Sequence, residues 1–190
     1  MPRLLLIAVV AGACLAMPGT SSSQTSAGTN PPQNWRSVLT ERMAAFGHRN
    51  WVIIADAAYP AQTRGGIETV VTGADHLTVL KAVLDEVSKA KHVRPVVYLD
   101  AELRYVSEDD AAGITRMRND LQELLSERKP KVLPHEEIIE KLDKAGETFR
   151  VLVLKTNLTV PYTSVFLELD CGYWSPQAER RLRERMKARK

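Results

Sequence analysis

The chain has 190 residues, 44% of them hydrophobic and 26% charged, and a formal charge of +3. That is ordinary globular composition, enough for one domain with a self-sufficient core. With Cys14 and Cys171 as the only cysteines, a disulfide scaffold and a cysteine zinc site are both excluded.

Arg3 precedes Leu4 to Ala16, an almost wholly apolar run that contains the small residues Ala11, Gly12 and Ala13. This is the pattern of a secretory signal over residues 1–17, and the run is too short to span a bilayer. Cys14 directly follows Ala-Gly-Ala, as in a lipoprotein signal whose cysteine is acylated; simple cleavage nearby is the alternative. Export is therefore expected, to a periplasmic or membrane-anchored location. Residues 18–34 are rich in Ser, Thr, Gly, Pro and Asn and read as a disordered tether. A domain is expected over residues 35–175 and a basic helix or tail over 176–190.

Within the domain, Trp35, Val38, Leu39, Met43 and Phe46 have helical spacing, with Gly47 as the expected stop. Val52 to Ala55 read as a buried strand, and Glu68 to Val71 lie in a second one. Asp75 is placed to cap a helix through Lys89. Val93 to Leu99 form a third strand. Ser107-Glu108-Asp109-Asp110 looks like the start of a helix reaching Ser126. A short strand at Lys131–Leu133 leads into a helix opened by Pro134 and stopped at Gly146. Strands follow from Phe149 and from Val165. The alternation predicts a single α/β layered domain, its largely parallel central sheet flanked by helices. Residues 179–190 hold seven Lys/Arg against Glu179 and Glu184. They read as a solvated terminal helix, with contact to an anionic membrane or nucleic acid as the alternative.

Chemistry points first to Asp56. A buried strand does not ordinarily end in a carboxylate unless the charge or its hydrogen bonds are used, and ligands in open α/β sheets gather beyond the carboxyl ends of strands. Capping of the turn before Pro60 is the plainer explanation. His48 precedes the same strand. His76 and His92 read as surface residues, and Cys171 as a small core residue. His135 lacks the second histidine of a zinc-protease helix, because Ile139 stands four residues later. Neither a phosphate-binding glycine loop nor a Gly-x-Ser-x-Gly elbow is present. Tyr162 follows Pro161, which fixes its place before the last strand, and its hydroxyl can donate or accept.

Taken in order, Gly47-His48, then Ile54-Ala55-Asp56-Ala57 to Pro60, then His135-Glu136-Glu137, then Pro161-Tyr162 resemble the D-ribose pyranase/L-fucose mutarotase family. The resemblance runs from about Trp35 to Gly172. It implies a small α/β subunit assembling into rings or decamers, with monosaccharide sites at subunit contacts and no cofactor or metal. It implies interconversion of anomers or ring forms by general acid–base catalysis. By match, His48, Asp56 and Tyr162 would be catalytic, and His135, Ser164 and Asn50 would bind substrate. Three features depart from the family pattern: Asn50 replaces an acidic residue, Ser164 an asparagine, and Lys155-Thr156-Asn157-Leu158 the usual lead into the tyrosine. A fold-retaining, non-catalytic carbohydrate-binding or assembly-forming lipoprotein is the alternative. No nucleic-acid partner is expected.

Overall fold

A computed structural model describes residues 34–188. The signal at 1–17, Cys14, nearly all of the tether at 18–34, and Arg189-Lys190 lie outside the described residues. The described chain runs α1 (Trp35–Ala45), β1 (Trp51–Ala55), β2 (Ile67–Val71), α2 (His76–Lys89), β3 (Val93–Asp100), α3 (Ile114–Leu125), β4 (Lys131–Leu133), α4 (His135–Thr148), β5 (Val151–Lys155), β6 (Val165–Cys171) and α5 (Pro176–Lys187). Single 3-10 turns stand at Ala101–Arg104 and Ser126–Arg128.

The six strands form one sheet in the order β2-β5-β1-β6-β3-β4. β2, β5 and β1 pair in parallel, as do β3 and β4. β6 runs antiparallel between β1 and β3. The sheet is thus parallel except for β6. Both its faces are covered, which is why β1 is apolar throughout and buried along its whole length. Val52 and Ile54 pack with α1, α2 and α3 on one face, whereas Trp51, Ile53 and Ala55 pack with α4 on the other.

Local capping explains where most helices start. The Asp75 side chain accepts from Thr78 N–H at 3.0 Å, as its position before α2 predicts. α3 begins at Ile114, seven residues later than Ser107, where the sequence pattern starts it. The Ser107 hydroxyl closes a turn of its own by accepting from Asp110 N–H at 3.2 Å. The Glu108 carboxylate then caps α3 from outside, accepting from the N–H groups of Gly113 at 2.5 Å and Thr115 at 3.0 Å.

Two glycines do not stop helices. α1 ends in extended backbone at Phe46, and the left-handed residue of the following loop is Arg49, at φ 74°. α4 passes through Gly146 to Thr148. A Cβ on Gly146 would stand 2.8 Å from Ile67 Cγ1, so glycine is needed there for the approach of α4 to β2. His76, which the sequence suggests is exposed, is fully buried, and Cys171 is only half-buried at the end of β6. His92 is exposed, with Nε2 2.9 Å from the Phe46 carbonyl. Among the described residues, no helix is long and apolar enough to cross a membrane, and no cluster of three His, Cys, Asp or Glu side chains could hold a metal.

Candidate functional site

Parallel strands β1 and β3 end on the same side of the sheet, β6 begins there, and α4 starts beside them. The residues just past these ends converge. A cavity of about 410 Å³ is lined by Asp56, Tyr59, Asp100, His135, Glu136 and Tyr162 as its main polar groups. Pro60, Pro161 and Ile139 supply apolar wall. Neither lysine nor arginine lines it.

Asp56 leaves β1 into a tight turn. One carboxylate oxygen accepts from Ala58 N–H at 2.8 Å, so the turn-capping explanation of this residue is correct as far as it goes. The other oxygen accepts from the Ser164 hydroxyl at 3.0 Å, and that hydroxyl in turn accepts from Asp56 N–H at 3.3 Å. Ser164 is buried at the start of β6. The reciprocal pair fixes the carboxylate and leaves it lone pairs for further donors.

His135 opens α4, and two acidic residues hold it. Both carboxylate oxygens of Glu102 accept from its backbone N–H at 3.1 Å, capping the helix start. Nδ1 lies 3.1 Å from Asp100 Oδ1. Nε2 makes no hydrogen bond among the described residues, so it is the ring nitrogen available to a ligand. Asp100 is 2% exposed, and its Oδ2 has no partner in the protein. Burial pushes its carboxyl up to about 6 despite the neighbouring imidazole, which pulls the other way.

Tyr162 packs edge-on against His135, with ring centroids 5.8 Å apart. It stands in the turn Val160–Thr163, closed by the Thr163 hydroxyl donating to the Val160 carbonyl at 2.7 Å. Its φ of 56° is left-handed, a conformation that costs a bulky side chain about 1 kcal/mol or more. Pro161 favours the second position of such a turn, and the closed turn holds the phenol at the cavity, where it remains 38% exposed. Tyr59 is buried with its hydroxyl unpartnered, and burial raises its phenol to about 12, so it is a neutral group at physiological pH.

Asp56, His135, Tyr162 and Ser164 therefore come together within one chain. His48 and Asn50 do not. Both precede β1, whereas Asp56 follows it, which separates them from the cavity by roughly 20 Å of strand. Around them, Arg49 N–H donates to the Leu169 carbonyl at 2.7 Å. The Asn50 side chain is committed to backbone: it accepts from Gly47 N–H at 2.8 Å and donates to the Arg150 carbonyl at 3.2 Å. His48 is exposed, near the carboxylate of Asp170. A larger cleft of about 580 Å³ lies at that end too. There Arg64 donates to Glu147 at 3.0 Å and Arg150 to the Gly65 carbonyl at 2.6 Å.

Asp100 is the site residue that inspection of the sequence misses. Its signal was available: Tyr98-Leu99-Asp100 repeats the apolar-strand-then-aspartate pattern that singles out Asp56. The apolar pattern ends at Leu99, whereas β3 runs one residue further and includes Asp100.

As a chemical device, the cavity offers an imidazole backed by a buried carboxylate, a fixed carboxylate, and a phenol. It can take up and return protons and can accept several hydroxyl hydrogen bonds at once. The sequence from residue 34 to 171 matches the family described as the RbsD / FucU transport protein family. Among solved structures, Bacillus subtilis RbsD complexed with D-ribose is similar at 23% identity and a TM-score of 0.50, over 73% of this chain and 94% of that one. The fucose mutarotase of Streptococcus pneumoniae in complex with L-fucose is similar at 18% identity and a TM-score of 0.50, over 77% of this chain and 99% of that one. No curated protein matches the chain in sequence.

Proposed function

The chain belongs to the RbsD / FucU transport protein family, and on that premise we propose that it is a mutarotase- or pyranase-like isomerase of free sugars. The observation that carries this reading is the convergence of Asp56, Asp100, His135 and Tyr162 on one cavity that no lysine or arginine lines. Such a lining suits a neutral polyol and offers nothing to a phosphorylated one. The two similar structures were solved with ribose and with fucose.

Interconversion needs two proton movements. A base takes the proton from the anomeric hydroxyl, the bond from the anomeric carbon to the ring oxygen breaks, and an acid protonates that oxygen. Rotation and reclosure with the roles reversed give the other anomer, or another ring size if a different hydroxyl attacks. His135, oriented by Asp100 through Nδ1, can serve as base or acid at Nε2. In this scheme Tyr162 donates to the opposing oxygen, and Asp56 with Ser164 holds neighbouring hydroxyls.

His48 enters this scheme only across a subunit contact. The resemblance to the family implies ring assembly with sites at contacts. A head-to-tail ring would lay the strand-entry end of one copy against the cavity of the next, so that His48 of the partner subunit completes the site. Complementation tests this: His48→Ala and His135→Ala chains, each inactive alone, should regain activity when unfolded together and refolded as mixed rings. Saturation-transfer NMR on ribose, fucose and other free sugars is the assay. No accelerated exchange with any sugar by the wild-type protein, at high protein concentration, would refute catalysis. Sugar binding by calorimetry without exchange would favour the non-catalytic reading, which Asn50's commitment to backbone and Ser164 in place of asparagine support.

A further inference from the structure

We propose that α5 and the aromatic pair before it form a docking element for an anionic lipid surface. The helix is well made. The Ser175 side chain caps it by accepting from Ala178 N–H at 3.1 Å, and Pro176 stands at its first position. Yet none of its residues is buried, and none belongs to either core cluster. Ala178, Leu182 and Met186 recur every fourth residue as an apolar stripe, and Met186 is 53% exposed. Just ahead of the helix, Tyr173 is 79% and Trp174 is 42% exposed.

Its charge is one-sided. Arg180, Arg181, Arg183, Arg185 and Lys187 face only Glu179 and Glu184, and Arg189-Lys190 follow in sequence. Glu179 is already spent, accepting from Arg183 Nε at 2.6 Å and from Trp174 Nε1 at 2.9 Å. Excess arginine, an apolar stripe that ends in the exposed Met186, and an exposed Tyr-Trp pair together make the composition of a helix that lies in a lipid headgroup layer. A nucleic acid would suit it less well, because the aromatics stand at one end and are not interleaved with the cations, so bases have no continuous stacking platform. A solvated helix accounts for the charges but not for the aromatic pair or for Met186.

The element also leaves the fold in a useful place. β6 runs antiparallel to β1, so the chain exits β6 at the strand ends remote from the cavity, where Gly172 N–H donates to the His92 carbonyl at 2.9 Å. Docking through α5 therefore engages none of the residues that line the cavity.

The test is co-sedimentation of the full chain, carrying Cys14→Ser so that acylation contributes nothing, with vesicles of phosphatidylcholine alone or mixed with phosphatidylglycerol. Binding is expected to the mixed vesicles only, to weaken as salt rises, and to be accompanied by a blue shift of tryptophan fluorescence. Replacing Arg180, Arg181 and Arg185 by glutamine should weaken it by roughly fivefold per charge, on the order of a hundredfold together. Circular dichroism and sugar exchange should be unchanged, since these arginines are outside the cavity. Absence of binding to phosphatidylglycerol vesicles at low salt would overturn the proposal. So would arginine variants that bind as well as wild type, or binding to heparin and oligonucleotides without binding to vesicles.

Discussion

Asp100 combines two properties that conflict: it is almost inaccessible, and one of its carboxylate oxygens has no partner in the protein. Such a group costs the fold stability, a cost that is kept where the site uses the group. Its contact with Nδ1 of His135 identifies it as a positioning residue. Asp100→Asn keeps the shape but loses the charge that favours a proton on Nδ1. The expected result is a fall in kcat on the order of a hundredfold with KM little changed, together with a redistribution of the His135 tautomers visible in nitrogen chemical shifts. An unaltered tautomer would mean that Asp100 only fills space. The sequence exposed Asp56 and hid Asp100 for the same physical reason. An aspartate after an apolar run is conspicuous only when the run's end is placed correctly, and Asp100 is itself the last residue of β3. His76 was hidden differently. Sitting directly after a helix cap suggests exposure, but here the helix start is buried against the sheet ends, and Nδ1 reaches the Thr156 hydroxyl at 3.1 Å. Only tertiary placement decides that.

Pattern in the sequence located the six strands and α1 to α4, but not how the elements end or touch. A glycine late in a helical pattern looks like a stop, whereas Gly146 continues α4 because β2 lies too close for a side chain. Gly66 is the stronger case. A Cβ there would run into the Gly146 carbonyl and approach the Phe149 carbonyl oxygen to 2.7 Å, and backbone cannot yield as a side-chain tip can. Its neighbour Gly65 faces open space. Gly66→Ala should therefore cost about 3 kcal/mol or more by overpacking, and Gly65→Ala should lie within about 0.5 kcal/mol of wild type. Denaturant midpoints at unchanged slope would measure both. Equal effects from the two substitutions would show that α4 and β2 can separate more readily than the packing indicates. The late start of α3 has a comparable cause: the hydroxyl and carboxylates of residues 107–110, which resemble a helix start, are used to close a turn and to cap the helix from outside.

At the scale of the whole molecule, strand order was out of reach of local pattern, because an apolar run does not say which neighbour it pairs with. β6 reads like the other strands, yet it enters the sheet reversed, between β1 and β3, and thereby brings Ser164 and Tyr162 to the ends where Asp56 and Asp100 stand. Two buried titratable groups near those ends, His76 and Asp100, then give the fold a shared pH response. The carboxyl of Asp100 titrates near 6 in the folded chain, above its usual 3.8, chiefly through burial. The folded state thus keeps a proton that the unfolded chain releases, and this stabilisation is complete below about 4 and is lost as pH rises through 6. Burial depresses His76 to about 4 from 6.5. Here the unfolded chain binds a proton that the folded one refuses, so His76 costs nothing above 6.5 and costs progressively more as pH falls to 4. Each effect amounts to about 3 kcal/mol over its window. Their slopes are opposite, so wild-type stability should be nearly flat in these two contributions between pH 4 and 6.5. Substituting either group removes one slope and leaves the other. Relative to wild type, Asp100→Asn should lose about 3 kcal/mol of stability on acidification from pH 6.5 to 4, and His76→Gln should gain a comparable amount over the same interval. Urea unfolding at half-unit pH steps, taken as difference curves so that the exposed carboxylates cancel, reads both. Curves parallel to wild type for both variants would mean that neither group is desolvated as the fold places it.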